Sequence, residues 1–198
     1  MKLWLVRHAQ PLIAAGVCYG QLDVAADAGA TADCARRLAA QLPPGICVSR
    51  SPLQRCEQLA TVLLGLRPDL ACETDFRLQE MNFGQWEGRD WQAIAPGELK
   101  AWTDDFAGHA AGRDGESVAA FMARVGSAFD ALAGQGDTLW ITHAGVIRAV
   151  ELLSQGLRQI ARADQWPRDA ANYGQWRSLD LPIGQARQKE DKAYGGKS

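Results

Sequence analysis

Short, unbroken apolar runs alternate along this chain with longer stretches in which apolar residues recur every three to four positions. That alternation restricts the fold more than any other feature. Leu3-Trp4-Leu5-Val6 and Ile46-Cys47-Val48 have the pattern of strands buried on both faces. Leu70 to Thr74, Asp137 to Thr142 and Trp176 to Leu181 are further strand candidates. Between them, Ala32 to Leu42 reads as a helix closed by Pro43-Pro44-Gly45. Ser51-Pro52-Leu53-Gln54 opens a second, with Ser51 as its cap and Pro52 at the first helical position. Val118, Phe121, Met122, Val125, Phe129 and Leu132 share one face of a third, and Val146 to Leu153 make a fourth. Strands that alternate with helices predict an α/β fold, a mainly parallel sheet with helices on both faces. Residues 76–116 break the pattern, being rich in Trp, Gly and charge, and are expected to be loops and short helices inserted over one sheet edge like a lid.

The 198 residues suit one domain, taken as 1–184, followed by a polar tail at 185–198 that is expected to fray. The net charge of -2 supplies no global positive field, so neither nucleic acid nor an anionic membrane is expected as a partner. The 5 cysteines are odd in number and form no C-x-x-C pair, which suits reduced thiols in a cytoplasm better than a disulfide framework. Met1 to Val6 is too short an apolar run for a secretory signal, and no window approaches the ~18 apolar residues of a membrane span.

Sheets of this kind bind ligands beyond the carboxyl ends of their strands. Arg7 and His8 end the first strand, Arg50, Ser51 and Arg55 follow the second, and Thr142 and His143 end a later one. Guanidinium forks and helix N-termini gathered at one edge make a site for a tetrahedral oxyanion such as phosphate. A single histidine after a strand is ordinarily a polar surface residue, and His109, in a Gly/Ala loop, keeps that reading. Two histidines arriving with arginines at strand ends point to chemistry. A neutral imidazole is a competent nucleophile near pH 7, and a second imidazole beside a dianionic phosphate would tend to be protonated. An acid for the leaving alcohol is still required, and Glu80 and Glu87, in an aromatic setting, both qualify on spacing. Trp86 and Trp91 are candidates to line a pocket. The 3 histidines show no i,i+4 pair and no H-E-x-x-H, so a zinc hydrolase is disfavoured.

Four blocks together resemble the histidine phosphatase superfamily, also called phosphoglycerate mutase-like. Arg7-His8-Ala9-Gln10 is similar to its opening signature and Ser51 to Cys56 to its second arginine block. Leu78 to Gly88 is similar to its acidic block and Thr142 to Arg148 to its second histidine block. The segments Gly16 to Val24, Glu80 to Arg89, Trp102 to Phe106 and Gly115-Glu116-Ser117 resemble most the alpha-ribazole phosphatase branch of cobalamin synthesis. The resemblance implies a three-layer α/β/α sandwich and hydrolysis of a small phosphorylated substrate through a phosphohistidine on His8. It implies Glu80 as proton donor, Arg7, Arg55, His143 and Gln21 around the phosphate, and no metal or organic cofactor. Ala9 stands where the signature has Gly, Pro11 with Leu12-Ile13-Ala14 replaces polar residues, and Ala111 to Asp114 replaces a Pro/Gly-rich lead. Rival readings are a broad phosphosugar or phosphoglycerate phosphatase, a phosphoglycerate mutase and a non-catalytic phospho-ligand binding module. A homodimer is compatible with the sequence.

Overall fold

A computed structural model describes residues 1–182, so the polar tail falls outside the described residues. Five strands form one sheet in the order β3-β2-β4-β1-β5. They are β1 (Lys2–Arg7), β2 (Cys47–Arg50), β3 (Cys72–Thr74), β4 (Thr138–Thr142) and β5 (Trp176–Asp180). All neighbours run parallel except β5, which pairs antiparallel with β1 at one edge. The pleat sends alternate residues to opposite faces. Leu3, Leu5 and Trp140 join a core with α4 (Val118–Asp130) and α5 (Ala144–Ser154). Val6, Val48, Leu139 and Ile141 join the other core with α1 (Ala28–Gln41) and α2 (Gln54–Leu66). The molecule is therefore the expected α/β/α sandwich.

Two helix starts differ from the sequence reading. Helix α1 begins four residues early because the Asp27 carboxylate accepts from the Ala30 amide, a cap strong enough to carry Gly29 into the first turn. Helix α2 starts at Gln54, and Ser51 is not its cap. The Gln54 amide is met instead by the Asp23 carboxylate at 2.7 Å, from a loop 31 residues away. Ser51 is drawn off by the site described below.

Residues 76–116 form three short 3-10 turns and helix α3 (Pro96–Asp104). Leu78, Met81, Trp86, Ile94, Phe106 and Ala111 are buried in the α4/α5 core. The Thr142 hydroxyl donates to the Leu78 carbonyl (2.8 Å), tying this segment to the carboxyl end of β4.

Candidate active site

Strand register brings the site together. Arg7 lies opposite Thr142, and Arg50 opposite Ile141. The ladder continues one step further, with the His8 amide on the Thr142 carbonyl and the Ser51 amide on the Ile141 carbonyl, each at 3.0 Å. His8, His143 and Ser51 thus leave three adjacent strands side by side, and the two imidazole centroids are 5.2 Å apart.

Hydrogen bonds assign both tautomers. His8 Nδ1 is 2.7 Å from the Ala9 carbonyl, which can only accept, so Nδ1 carries the proton and Nε2 keeps its lone pair. His143 Nδ1 accepts from Arg55 Nε at 3.3 Å, so its Nε2–H donates to Ser51 Oγ at 2.8 Å. Burial, then Arg55, holds the pKa of each imidazole well below 6.5. In this structure the guanidinium beside it disfavours a positive charge on His143, whose Nε2–H is taken by Ser51 Oγ. The Cys56 thiol lies 3.5 Å from His143 Nε2, and burial pushes its pKa up to about 12, which keeps it a thiol.

Arg55 is fully buried. It donates to the carbonyls of Gly20 (2.7 Å) and Leu22 (2.9 Å) as well as to His143, and among the described residues these bonds do not exhaust its five N–H groups. Arg7 donates to the Ala171 carbonyl and stacks 3.8 Å above the Tyr173 ring. Its buried Nε–H has no acceptor among the described residues. An orphan donor of this kind costs about 1–3 kcal/mol, which a bound oxyanion would recover. Arg50 is turned away, paired with Glu57.

The geometry separates the two glutamates. Glu80 Oε2 accepts from the Gly145 amide at the N-terminus of α5 (3.0 Å), and Oε1 from the Met81 amide (3.0 Å). Glu87 accepts from the amides of Gln21 and Phe83, which makes it a brace for the surrounding loops. Gln21 donates its side-chain amide to the Glu80 carbonyl, so its observed contact positions the acidic segment. Sequence reasoning missed Tyr173, which faces His8 with ring centroids 5.6 Å apart and whose hydroxyl meets that of Tyr19 at 2.7 Å. Its stretch, 155–175, carries no periodic signal that could have flagged it.

Next to Glu80 opens a cavity of about 230 Å³ lined by Phe83, Trp102, Phe106, Trp166 and Arg148 among others. The tryptophans here are not the two expected. Trp86 is buried with its indole N–H on Glu98, and Trp91 packs against it at 6.1 Å. No group of three His, Cys, Asp or Glu side chains among the described residues is placed to hold a metal ion. No helix among them is long and apolar enough to cross a membrane.

The profile of the histidine phosphatase superfamily (branch 1) matches residues 3–178. No curated protein matches the chain. Among solved structures, the protein TTHB049 from Thermus thermophilus is similar at 29% identity and TM-score 0.70, covering 92% of this chain and 95% of that one. A mycobacterial glucosyl-3-phosphoglycerate phosphatase is similar at 24% identity and TM-score 0.74, covering 89% and 88%. A protein called mycobacterial hydrolase 1 reaches TM-score 0.76 at 23% identity, covering 90% of each chain. At these identities the last two speak to the fold alone.

Proposed function

This chain belongs to the histidine phosphatase superfamily, and from that premise we propose that it hydrolyses phosphate monoesters through a phosphohistidine on His8. His8 Nε2 attacks phosphorus in line, and the P–O bond to the alcohol breaks. Glu80, in its acid form, gives its proton to the departing oxygen. A water molecule then attacks the phosphohistidine, losing a proton to Glu80, and His8 is released with inorganic phosphate. The ring becomes positive as it takes the phosphoryl group, and the Nδ1–H bond to Ala9 strengthens with that charge. Arg7, Arg55 and His143 bind the phosphoryl oxygens, the bound dianion favouring the protonated form of His143, so positioning and electrostatics supply most of the rate.

One observation carries this reading. A buried imidazole whose Nε2 is left unprotonated sits against a second imidazole that is bonded to a buried arginine, with Glu80 fastened two residues further on. Such an arrangement gives a fold no stability it could not obtain from apolar residues. Within monoesters, we favour alpha-ribazole phosphate as substrate, on the resemblance of residues 16–24, 80–89, 102–106 and 115–117 to that branch.

Radiolabelled substrate and a chelator provide the test. The wild type is expected to release phosphate and to form an acid-labile, base-stable phosphoprotein, and His8→Ala to lose both. Full turnover by His8→Ala, or activity that vanishes in chelator, would overturn the mechanism. In a panel with alpha-ribazole phosphate, phosphosugars and phosphoglycerates, the first should have the highest kcat/KM. Phosphoryl transfer between phosphoglycerates in place of release would mark a mutase.

A further inference from the structure

The two arginines of the site are held by groups that carry no charge. Nearby, Arg50 is paired with Glu57 and Arg124 with Glu116. Arg55 donates instead to the carbonyls of Gly20 and Leu22, and Arg7 to that of Ala171. A carboxylate in either place would offset the positive charge that an oxyanion needs. A carbonyl holds the guanidinium and leaves its charge available.

Two tyrosine rings complete this neutral setting. The Arg55 guanidinium lies 5.3 Å from the centroid of the Tyr19 ring, and the Arg7 guanidinium 3.8 Å from that of Tyr173. The face of a ring attracts a cation without neutralising it. Each tyrosine also belongs to the segment whose carbonyl holds its arginine. Tyr19 directly precedes Gly20, an acceptor for Arg55, and Tyr173 lies two residues after Ala171, the acceptor for Arg7. The Gly174 amide donates to the carbonyls of both Arg7 (3.2 Å) and His8 (3.0 Å), so the turn that carries Tyr173 is stitched to the end of β1.

These two arginine–tyrosine units meet at a single bond. The Tyr19 and Tyr173 hydroxyls are 2.7 Å apart, across 154 residues of chain. Burial, then the bond to Tyr173, raises the pKa of Tyr19 above that of an ordinary phenol, so its hydroxyl keeps its proton. A continuous path thus runs from Arg55 through Tyr19 and Tyr173 to Arg7, and the Tyr173 ring also faces His8 at 5.6 Å. Arg7 ends β1 and Arg55 lies in the first turn of α2, so their separation depends on what spans the two segments. We propose that the Tyr19–Tyr173 pair is that span, fixing Arg7 and Arg55 at the separation a phosphoryl group requires while leaving both charges available to it. This inference rests on the phosphatase reading above, and it makes Tyr19 and Tyr173 positioning residues that act through the arginines.

Inorganic phosphate is the probe, titrated calorimetrically into the wild type, Tyr19→Phe, Tyr173→Phe and the double phenylalanine variant. Each single change keeps a ring and removes one end of the same hydroxyl bond. Its loss should raise the phosphate Kd about three- to tenfold, the scale of one hydrogen bond. The double variant should bind no more weakly than either single one, because the second change finds the bond already broken. Tyr173→Leu removes the ring as well and should raise Kd about three- to tenfold further. Thermal melts accompany the titrations. A lower Tm with unchanged phosphate Kd would show a purely structural pair and overturn the proposal. Losses that multiply in the double variant would overturn it too, since the hydroxyls would then act separately. Wild-type affinity in every variant removes the span alone and leaves the phosphatase reading standing. A wild type that binds no phosphate sinks that reading, and the span with it.

Discussion

At the scale of single residues, the chemistry turns on which atoms are already engaged. Glu87 is tied to the amides of Gln21 and Phe83 in the surrounding loops, whereas Glu80 is tied to Gly145, two residues after His143. Glu80→Gln keeps the size of the side chain and removes its transferable proton. Turnover of alkyl phosphates is expected to fall ~10²–10⁴-fold, the usual yield of a general acid. An ester with a nitrophenolate leaving group needs no protonation and should lose far less. Initial rates across a series of leaving groups check this, and a uniform loss would argue against Glu80 as the donor.

At the scale of elements, the N-terminus of α5 is the piece on which Glu80, the proposed acid, is mounted. A methyl group at Gly145 would lie 2.1 Å from Glu80 Oε1, so only glycine lets the carboxylate sit over this helix end. Gly145→Ala should displace the carboxylate and lower kcat on alkyl esters about 10²-fold, the cost typical of a ~1 Å misplacement. The helix itself favours alanine over glycine by up to about 1 kcal/mol, so Tm should hold or change by only a few degrees. A thermal melt beside the leaving-group series separates the two effects, and unchanged kcat would show that Glu80 tolerates the methyl. Helix α4 holds the acidic segment from its other side. Arg124 donates to the carbonyls of Arg77, Gln79 and Glu80, and its partner Glu116 accepts from the Asn82 amide. Two helices from one face of the sheet therefore set the position of a loop residue.

At the scale of the whole molecule, the site lowers stability in acid. His8 and His143 have folded pKa values depressed below 6.5, so below that pH the unfolded chain binds more protons than the folded one. Stability is then fully present above about pH 6.5 and falls as the pH drops, by up to about 1.4 kcal/mol per pH unit for each histidine. Asp69, Asp75 and Asp164 are lowered from 3.8, so their contributions are lost only at more acid pH. The interval between pH 5 and 6.5 thus belongs to the histidines. Urea melts across this range should show a steep decline in the wild type and a shallower one in His143→Gln. A flat wild-type profile would mean that the imidazoles are not buried neutral.

The alternating pattern of apolar runs was enough to place the strands, their mainly parallel sense and the ends where Arg7, His8, Arg55 and His143 emerge. The reason is that backbone periodicity and side-chain burial are local properties, readable from consecutive residues. What the tertiary structure alone decided were choices of partner across long separations. Ser51 looked like a helix cap and became the acceptor for His143, while Asp23 took over the capping. Glu80 and Glu87 were equivalent on spacing, and their places in the fold separated the two, Glu80 at Gly145 beside His143 and Glu87 among the loops of Gln21 and Phe83. The protonation of His143 depended on Arg55, 88 residues away. Tyr173 and Trp166 carry no local signal, because a hydrogen bond or a ring contact depends on which distant segment packs nearby. Periodicity records only that a face is buried, and folding determines what it is buried against.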